Sequence, residues 1–221
     1  MVSRISVEEF KELMESGSLV VDVRDPQEFT SGFVPGSIFL ESNSIAAFAP
    51  AFIDKSKPLI IVGNQGEEKT IINLLQQAGI DTVKGFLNGG FQSWRGAHEP
   101  VDMVIDIEAD ELAMDFRFDK NMLLVDLRPF NEYKEGHVQD SINIPVEELA
   151  DVAQVASLDE EGFIYLYSEQ SSLSCTAASI LKKHGIHHIH IVNGGWNKIS
   201  QMNNIPVKKL DVKPENNKKA I

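Results

Sequence analysis

A stretch that occurs twice decides the fold of this chain: DVRDPQEF at residues 22–29 and DLRPFNEY at residues 126–133. Asp22 and Asp126 are 104 residues apart, and the same offset relates Arg24 to Arg128 and Glu28 to Glu132. The Gly-Gly pairs at 89–90 and 194–195 match at an offset of 105 residues. Self-similarity at a fixed period indicates one structural unit that is repeated. The chain is therefore predicted to contain two copies of one domain.

In both copies short apolar strands alternate with amphipathic helices, including helices predicted over 70–78 and 176–184. The strands LIIV at 59–62 and IYLY at 164–167 show no polar alternation, which is typical of a parallel sheet covered on both faces. The sequence predicts an α/β fold of two tandem domains, each a central, mostly parallel sheet with helices on both faces. We expect domains at 1–100 and 101–211, then a polar tail at 212–221.

Composition narrows the possible partners and the location of the protein. The net charge of −13, from 20 basic and 33 acidic residues, argues against nucleic acid as a partner. No apolar run reaches the ~20 residues that a membrane span requires, and no signal peptide is evident, so we expect no membrane partner. A single cysteine cannot form an internal disulfide. These features favour a cytoplasmic protein.

The repeated block, with its strand, loop and helix and its late Gly-Gly pair, resembles the rhodanese-like domain, and the resemblance covers nearly the whole chain. More narrowly, residues 58–68 and 85–94 are similar to the tandem rhodanese-like region that follows the metallo-β-lactamase-type domain in fused persulfide dioxygenases. This chain has no His-x-His-x-Asp motif of that metal-binding domain. The resemblance therefore implies a persulfide dioxygenase of this type, or another protein of sulfur metabolism, as a partner.

The resemblance also implies sulfurtransferase chemistry, which requires a particular residue at one loop. A cysteine thiolate at the end of the third strand attacks a sulfane sulfur donor, becomes a persulfide and passes the sulfur to an acceptor. The family pattern at this loop is Cys-x-x-Gly-x-Arg-Ser, whose backbone N–H groups point at the sulfur. No cofactor and no metal are implied.

The first loop, GNQGEEK at 63–69, has glycine at the cysteine position and an acid at the arginine position. Glycine has no nucleophile, and an acid repels an anionic substrate. The two glutamates also suit the first turn of a helix, which we consider their main role. We expect a ligand-binding loop formed by Gly63, Asn64, Gln65, Gly66, Glu67 and Glu68.

The second loop, SEQSSLS at 168–174, has serine at the cysteine position and leucine at the arginine position. A serine hydroxyl needs an adjacent base to become a nucleophile, and this loop offers Glu169 but no histidine. We interpret Ser168 as a hydroxyl that caps the loop or the next helix, with a catalytic role as the alternative. The corresponding ligand-binding loop is formed by Ser168, Glu169, Gln170, Ser171, Ser172 and Leu173.

The one cysteine of the chain, Cys175, lies seven positions after Ser168, in a helix beside Ala177 and Ala178. Small apolar neighbours favour a buried, inert thiol over a nucleophile.

Four histidines cluster in the sequence, at His184, His187, His188 and His190. Only His188 and His190 would share a strand face, and no acidic residue or cysteine has ligand spacing nearby, so we expect no metal site.

The best-matched residues of the repeat are an arginine and two carboxylates in each copy: Asp22, Arg24 and Glu28, and Asp126, Arg128 and Glu132. We interpret each set as an ion-paired corner between strand and helix, with a rim around a site as the alternative.

Three functions remain open at this point. The first is a catalytically silent binding or regulatory module of persulfide metabolism. The second is a thiosulfate or persulfide sulfurtransferase that uses Cys175 or a partner enzyme. The third is a structural or oligomerisation module.

Overall fold

The computed structural model describes residues 3–118, 121–158 and 162–210, so the predicted tail at 212–221 lies outside the described residues. We call the first repeat domain 1. Its elements are β1 (Ser3–Ile5), α1 (Val7–Glu15), β2 (Leu19–Asp22), α2 (Pro26–Thr30), β3 (Ile38–Phe39), a 3-10 turn (Ser42–Ser44), α3 (Ile45–Phe52), β4 (Leu59–Val62), α4 (Glu68–Gln77), β5 (Val83–Leu87) and α5 (Gly90–Gly96).

The second repeat, domain 2, follows the same order with two additional strands, one after its second helix and one at its end, which pair with each other. Its elements are β6 (Ile105–Ile107), α6 (Ala109–Phe118), β7 (Leu123–Asp126), α7 (Phe130–Glu135), β8 (His137–Val138), β9 (Ile142–Asn143), a 3-10 helix (Val146–Ala150), α8 (Val152–Ala156), β10 (Ile164–Tyr167), α9 (Ser171–Lys183), β11 (Ile189–Val192), α10 (Gly195–Ile199) and β12 (Val207–Lys208).

Each domain is built on a five-stranded parallel sheet, with the order β1-β5-β4-β2-β3 in domain 1 and β6-β11-β10-β7-β9 in domain 2. In domain 1, Asp22 at the end of β2 pairs with Val62 at the end of β4. Asp126 and Tyr167 form the same pair in domain 2. The loops that follow these strands therefore leave the sheet side by side, at the edge where α/β sheets bind ligands.

Helices cover both faces of the sheet in domain 1, as the unbroken apolar strands predict. Phe10 of α1 and Trp94 of α5 are buried with Val62 on one face. On the other face, Leu75 of α4 is buried with Ile61 of β4. The predicted fold class, two tandem α/β domains with parallel sheets, is confirmed.

The two domains share one hydrophobic cluster. Phe29, Phe33 and Phe39 of domain 1 are buried in it, and its other buried members all lie between Val104 and Ile191. The ring of Phe29 stacks on Phe33 with centroids 4.1 Å apart and lies 4.7 Å from Phe39. Because an aromatic side chain buries a large apolar area, this trio contributes strongly to holding the domains together.

The bounds of the helix after the third strand differ between the repeats and from the prediction. The helix of domain 1, predicted over 70–78, begins at Glu68, whereas the helix of domain 2, predicted over 176–184, begins at Ser171. Gly66 in the first loop has φ +95°, a left-handed conformation that a glycine adopts readily. The matching position in domain 2 is Ser171, which takes the right-handed helical conformation and starts the helix early.

No helix among the described ranges is both long and apolar enough to span a membrane.

Candidate functional site

Each domain has a buried arginine at the corner between its second strand and the following helix. In domain 1, Arg24 Nε lies 2.9 Å from Asp22 Oδ1 and Arg24 Nη2 lies 2.6 Å from Asp22 Oδ2. Nη2 also donates to the carbonyl oxygen of Gly32 at 2.8 Å, which fixes the end of the α2 turn. The guanidinium carbon lies 4.3 Å from the centroid of the Phe91 ring. The donors of Arg24 are thus largely used inside the protein.

Domain 2 repeats this corner closely. Arg128 Nε and Nη2 lie 3.0 Å and 2.6 Å from the Asp126 carboxylate oxygens, and Nη2 donates to Gly136 O at 2.7 Å. Here the guanidinium carbon is 4.1 Å from the centroid of a Trp196 ring. The predicted corners are therefore ion-paired through their aspartates. Among the described residues neither arginine forms an ion pair with Glu28 or Glu132, which line the cavities instead, as the alternative interpretation predicts.

The first loop presents no side chain where the family has its thiol. A Cβ atom built on Gly63 would lie 2.8 Å from Cγ2 of the buried Val23. That separation is shorter than ordinary van der Waals contact, so the side chain of Val23 occupies the space that a cysteine would need.

Glu68, at the arginine position of the family pattern, bonds within its own domain. Its Oε2 accepts a hydrogen bond from the N–H of Gly66 at 3.0 Å, and its Oε1 accepts from Arg4 Nη2 at 2.7 Å. Hydrogen bonds from its own backbone N–H and from Arg4 lower the pKa of Glu68. One N–H of the loop is therefore already bonded to an internal carboxylate. Glu67 is the exposed residue before α4, in agreement with its expected role at the helix start.

A cavity of about 180 Å³ lies over the first loop. The structure brings five of the predicted residues together in its lining: Arg24, Glu28, Gly63, Asn64 and Gln65. Gly66, Glu67, Glu68 and Asp22 are not in the lining. The Asn64 amide nitrogen lies 3.5 Å from the Glu28 carboxylate. The cavity is therefore lined by carboxamides, an acid and an internally paired arginine.

Four residues in this lining were missed by the sequence interpretation: Gly89, Gly90, Phe91 and Gln92. A Cβ atom on Gly90 would lie 3.0 Å from the carbonyl oxygen of Gly63, and in domain 2 a Cβ atom on Gly195 would collide with the carbonyl oxygen of Ser168. Both glycines have positive φ. The Gly-Gly turn therefore closes each site by direct backbone approach, and the signal for it was the Gly-Gly-aromatic match between the repeats.

In the second loop, Ser168 is 1% exposed and bonds within the loop. Its hydroxyl donates to the carbonyl oxygen of Gln170 at 2.6 Å, and the Ser174 hydroxyl lies 2.9 Å away. The side chain of Gln170, the N-cap residue of α9, makes no capping hydrogen bond. Of the two expected forms of capping, the Ser168 hydroxyl therefore has the one within the loop. A proton that is shared with a carbonyl oxygen gives no activated nucleophile.

Of the remaining residues of the second loop, some pack into the protein and one lines a cavity. Ser172 is buried, and Leu173 packs against the shared hydrophobic cluster. A cavity of about 260 Å³ lies beside this loop and has the predicted residues Arg128, Glu132 and Glu169 in its lining. Ser168, Gln170, Ser171, Ser172, Leu173 and Asp126 are not in that lining.

The rim of the second cavity is acidic, since Glu135, which the sequence interpretation missed, joins Glu132 and Glu169. Burial, and then the negative charge of Glu169, raise the pKa of Glu132. Such a rim disfavours an anion such as thiosulfate.

Cys175 is 1% exposed, which confirms its predicted burial. Its Sγ faces domain 1 and lies 3.9 Å from the carbonyl oxygen of Pro26. Burial, and then the negative charges of Asp106 and Asp25, raise the pKa of the Cys175 thiol. Because the thiolate is the reactive form, this environment suppresses nucleophilicity.

His184, His187 and His188 precede β11, at the amino ends of the domain 2 strands and therefore away from the second loop, and His190 lies within β11. The rings of His188 and His190 both approach Phe163, at 5.6 and 4.8 Å between centroids. Across the described ranges, no group of three or more metal-binding side chains is placed to hold an ion.

Known proteins resemble the chain in both halves. The family model described as Rhodanese-like domain matches residues 6–97 and 108–202. Thiosulfate sulfurtransferase GlpE of Pseudomonas aeruginosa is 37% identical over 101 residues, which are 45% of this chain and 88% of that protein. Thiosulfate sulfurtransferase GlpE of Pseudomonas syringae pv. syringae is 38% identical over 94 residues, 42% of this chain and 86% of that protein.

Among solved structures, the Alr3790 protein from Anabaena sp. is 23% identical, with a TM-score of 0.43 over 48% of this chain and 94% of that chain. The two family matches together cover most of the sequence and coincide with the two repeated sheets. The chain therefore belongs to the rhodanese-like domain family, and it carries that domain twice.

Proposed function

We propose that this protein does not itself transfer sulfur and acts as a binding or regulatory module in persulfide metabolism. The observation that carries the proposal is the position of its only thiol. The loop positions that need a cysteine hold Gly63 and Ser168, and the thiol of Cys175 is buried between the domains. A sulfane sulfur needs an accessible thiolate as its carrier.

The charge of the two cavities supports the same proposal. Among the described residues that line them, the only basic side chains are Arg24 and Arg128, and each is paired with a buried aspartate. The carboxylates of Glu28 and Glu132 stand beside them. A dianionic donor such as thiosulfate therefore finds no unpaired cation in either lining.

The cavity of domain 1 is the better candidate for a binding site. Its lining holds the carboxamides of Asn64, Gln65 and Gln92 beside one carboxylate, whereas the lining of the domain 2 cavity holds three carboxylates and no carboxamide. Carboxamides offer both donors and acceptors of hydrogen bonds, which suits a polar ligand or a peptide backbone.

The partner in this proposal is a persulfide dioxygenase of the metallo-β-lactamase type or another protein of sulfur metabolism. The resemblance of the pair of domains to the region fused to such enzymes supports it. The single cysteine fits a reducing compartment, so the proposal places the protein in the cytoplasm. Calorimetric titration of the purified chain with such a dioxygenase measures the interaction directly.

One observation favours a sulfurtransferase as the second candidate: relatives that are 37% identical bear the name thiosulfate sulfurtransferase. The deciding assay supplies thiosulfate and a small thiol as sulfur acceptor and measures the sulfite that is released. We expect no sulfite above the protein-free rate, from the natural chain or from a Cys175→Ser variant.

The GlpE protein of Pseudomonas aeruginosa serves as the positive control for this assay. Sulfite release by the natural chain at a rate near that of this control would defeat the proposal. Its loss in Cys175→Ser would then assign the chemistry to that thiol.

A further inference from the structure

The helix that follows the second loop is buried to an unusual extent. Nine of the thirteen residues of α9 are buried, whereas α4, the matching helix of domain 1, buries two of its ten. A surface helix of an α/β domain normally buries one stripe of side chains. Helix α9 therefore has a second covered face, and domain 1 is what covers it.

Polar contacts between α9 and domain 1 are specific as well as close. The hydroxyl of Ser179 accepts a hydrogen bond at 3.0 Å from the backbone N–H of Phe39, on the edge strand β3. Lys182, whose side chain is 8% exposed, pairs at 2.8 Å between Nζ and Oδ1 with Asp102, a residue of the segment between the domains whose backbone bridges to Phe33 of domain 1. The edge of the domain 1 sheet is thus capped by a side chain from domain 2, which removes an unpaired strand edge.

The residues at the arginine position of the family pattern make different contacts in the two domains, one across the interface cluster and one within its own domain. Leu173 of domain 2 packs against the cluster that contains Phe29, Phe33 and Phe39. Glu68 of domain 1 is bonded to Arg4 and Gly66 within its own domain. An arginine at 173 would place a charge against apolar side chains, which is costly without a partner.

The surface of domain 1 that receives α9 is also a wall of the domain 1 cavity. Helix α2 carries Glu28, which lines that cavity, and the next residue, Phe29, is buried in the shared cluster. Thr30, the last residue of α2, donates its hydroxyl hydrogen bond to Asp106 of domain 2 at 2.8 Å. Domain 2 therefore contacts the residues on the outer side of the wall that holds Glu28.

We propose that the altered second loop and α9 form a docking element that holds the α2 wall of the domain 1 cavity, with Leu173 as a positioning residue. In this arrangement the second loop, which has no cysteine, supports the helix that lines the cavity over the first loop. The inference is independent of the proposed function, because it predicts the behaviour of α2 with no ligand and no sulfur transfer.

The test restores the family arginine at the same position of each domain, as Leu173→Arg and Glu68→Arg. Two readouts are taken on the full chain: hydrogen exchange of the α2 amides by mass spectrometry, and the alkylation rate of Cys175 by iodoacetamide at one fixed pH. For Leu173→Arg we expect at least tenfold faster alkylation and faster exchange in α2. For Glu68→Arg, the matched control, we expect both to stay at the natural rate.

Natural rates of alkylation and of α2 exchange in Leu173→Arg would overturn the inference, as would equal effects of the two variants. If circular dichroism shows that Leu173→Arg is unfolded, Leu173→Ala takes its place. Loss of the leucine packing must then accelerate both readouts while the amides around Phe10 of α1 stay protected. Unchanged readouts in Leu173→Ala would equally contradict the inference.

Discussion

At the scale of single residues, the first loop lacks both a thiol and the space for a side chain at position 63. The space beside Gly63 that a side chain would enter contains Cγ2 of Val23, 2.8 Å from the built Cβ position. Val23 is itself buried and has little freedom to move away. Adding a side chain to a filled core forces neighbours out of their preferred rotamers.

We therefore expect Gly63→Ala to destabilise the protein by about 1–3 kcal/mol, the usual cost of overpacking. Gly96→Ala is the matched control, because a Cβ atom there meets nothing within 4 Å at the end of helix α5. We expect that variant to be neutral or more stable by up to ~1 kcal/mol, since alanine favours helix over glycine. Urea unfolding followed by circular dichroism measures both, and equal stabilities of the two variants would contradict the packing argument.

The absence of a thiol at positions 63 and 168 could be predicted from the sequence, because the repeat aligns the two loops. The contact of Gly63 with Val23 could not, since it depends on the distance between two adjacent strands. The bond from Ser168 to the Gln170 carbonyl likewise depends on how the loop closes. A residue type is visible in a sequence, whereas its partner is set by the fold.

At the scale of elements, the corner between strand and helix is the most faithfully repeated unit. The pairs Asp22–Arg24 and Asp126–Arg128 have their closest contacts at the same 2.6 Å, and both arginines also donate to a glycine carbonyl. Each arginine thereby joins the end of a strand to the turn that follows the next helix. This role was predicted from the matched residue types, and the glycine carbonyls were not, because a backbone acceptor leaves no mark in the sequence.

Removing one member of such a buried pair leaves a charge without compensation. We expect Asp126→Asn, which keeps the shape of the side chain, to lower the free energy of unfolding by about 3–5 kcal/mol. Asp81→Asn changes the same group at an exposed position and is expected to stay within about 0.5 kcal/mol of the natural chain. Chemical denaturation measures the free energy of unfolding of both variants. A decrease below 1 kcal/mol in Asp126→Asn would contradict the expectation and show that water compensates the charge of Arg128.

At the scale of the whole molecule, the two domains share one topology but differ in the polarity of the face that domain 1 places in the shared cluster. The buried residues of domain 1 in the shared cluster are Phe29, Phe33 and Phe39. Their counterparts in domain 2, at the offset of 104 residues, are Tyr133, His137 and Asn143.

The phenylalanines of domain 1 thus correspond to more polar residues in domain 2. This difference between the copies shows that domain 1 is the one that presents this face to the other domain. This interface could not be predicted from the sequence, since a change from polar to apolar residues indicates an interface only once the covered face is known. The burial of α9 on two faces could not be predicted either. A single covered face would explain the apolar pattern of its sequence equally well.

The shared cluster has a consequence for unfolding that the two tryptophans can report. Trp94 lies in α5 of domain 1 and Trp196 in α10 of domain 2, so each single-tryptophan variant, Trp196→Phe or Trp94→Phe, reports on one domain. Opening either domain exposes apolar side chains of the other, which couples the two transitions. We expect one cooperative urea transition in each variant, with the same midpoint by tryptophan fluorescence and by far-ultraviolet circular dichroism. A fluorescence midpoint that departs from the dichroism midpoint in either variant would show that the domains unfold separately and that the cluster of Phe29, Phe33 and Phe39 does not bind them into one unit.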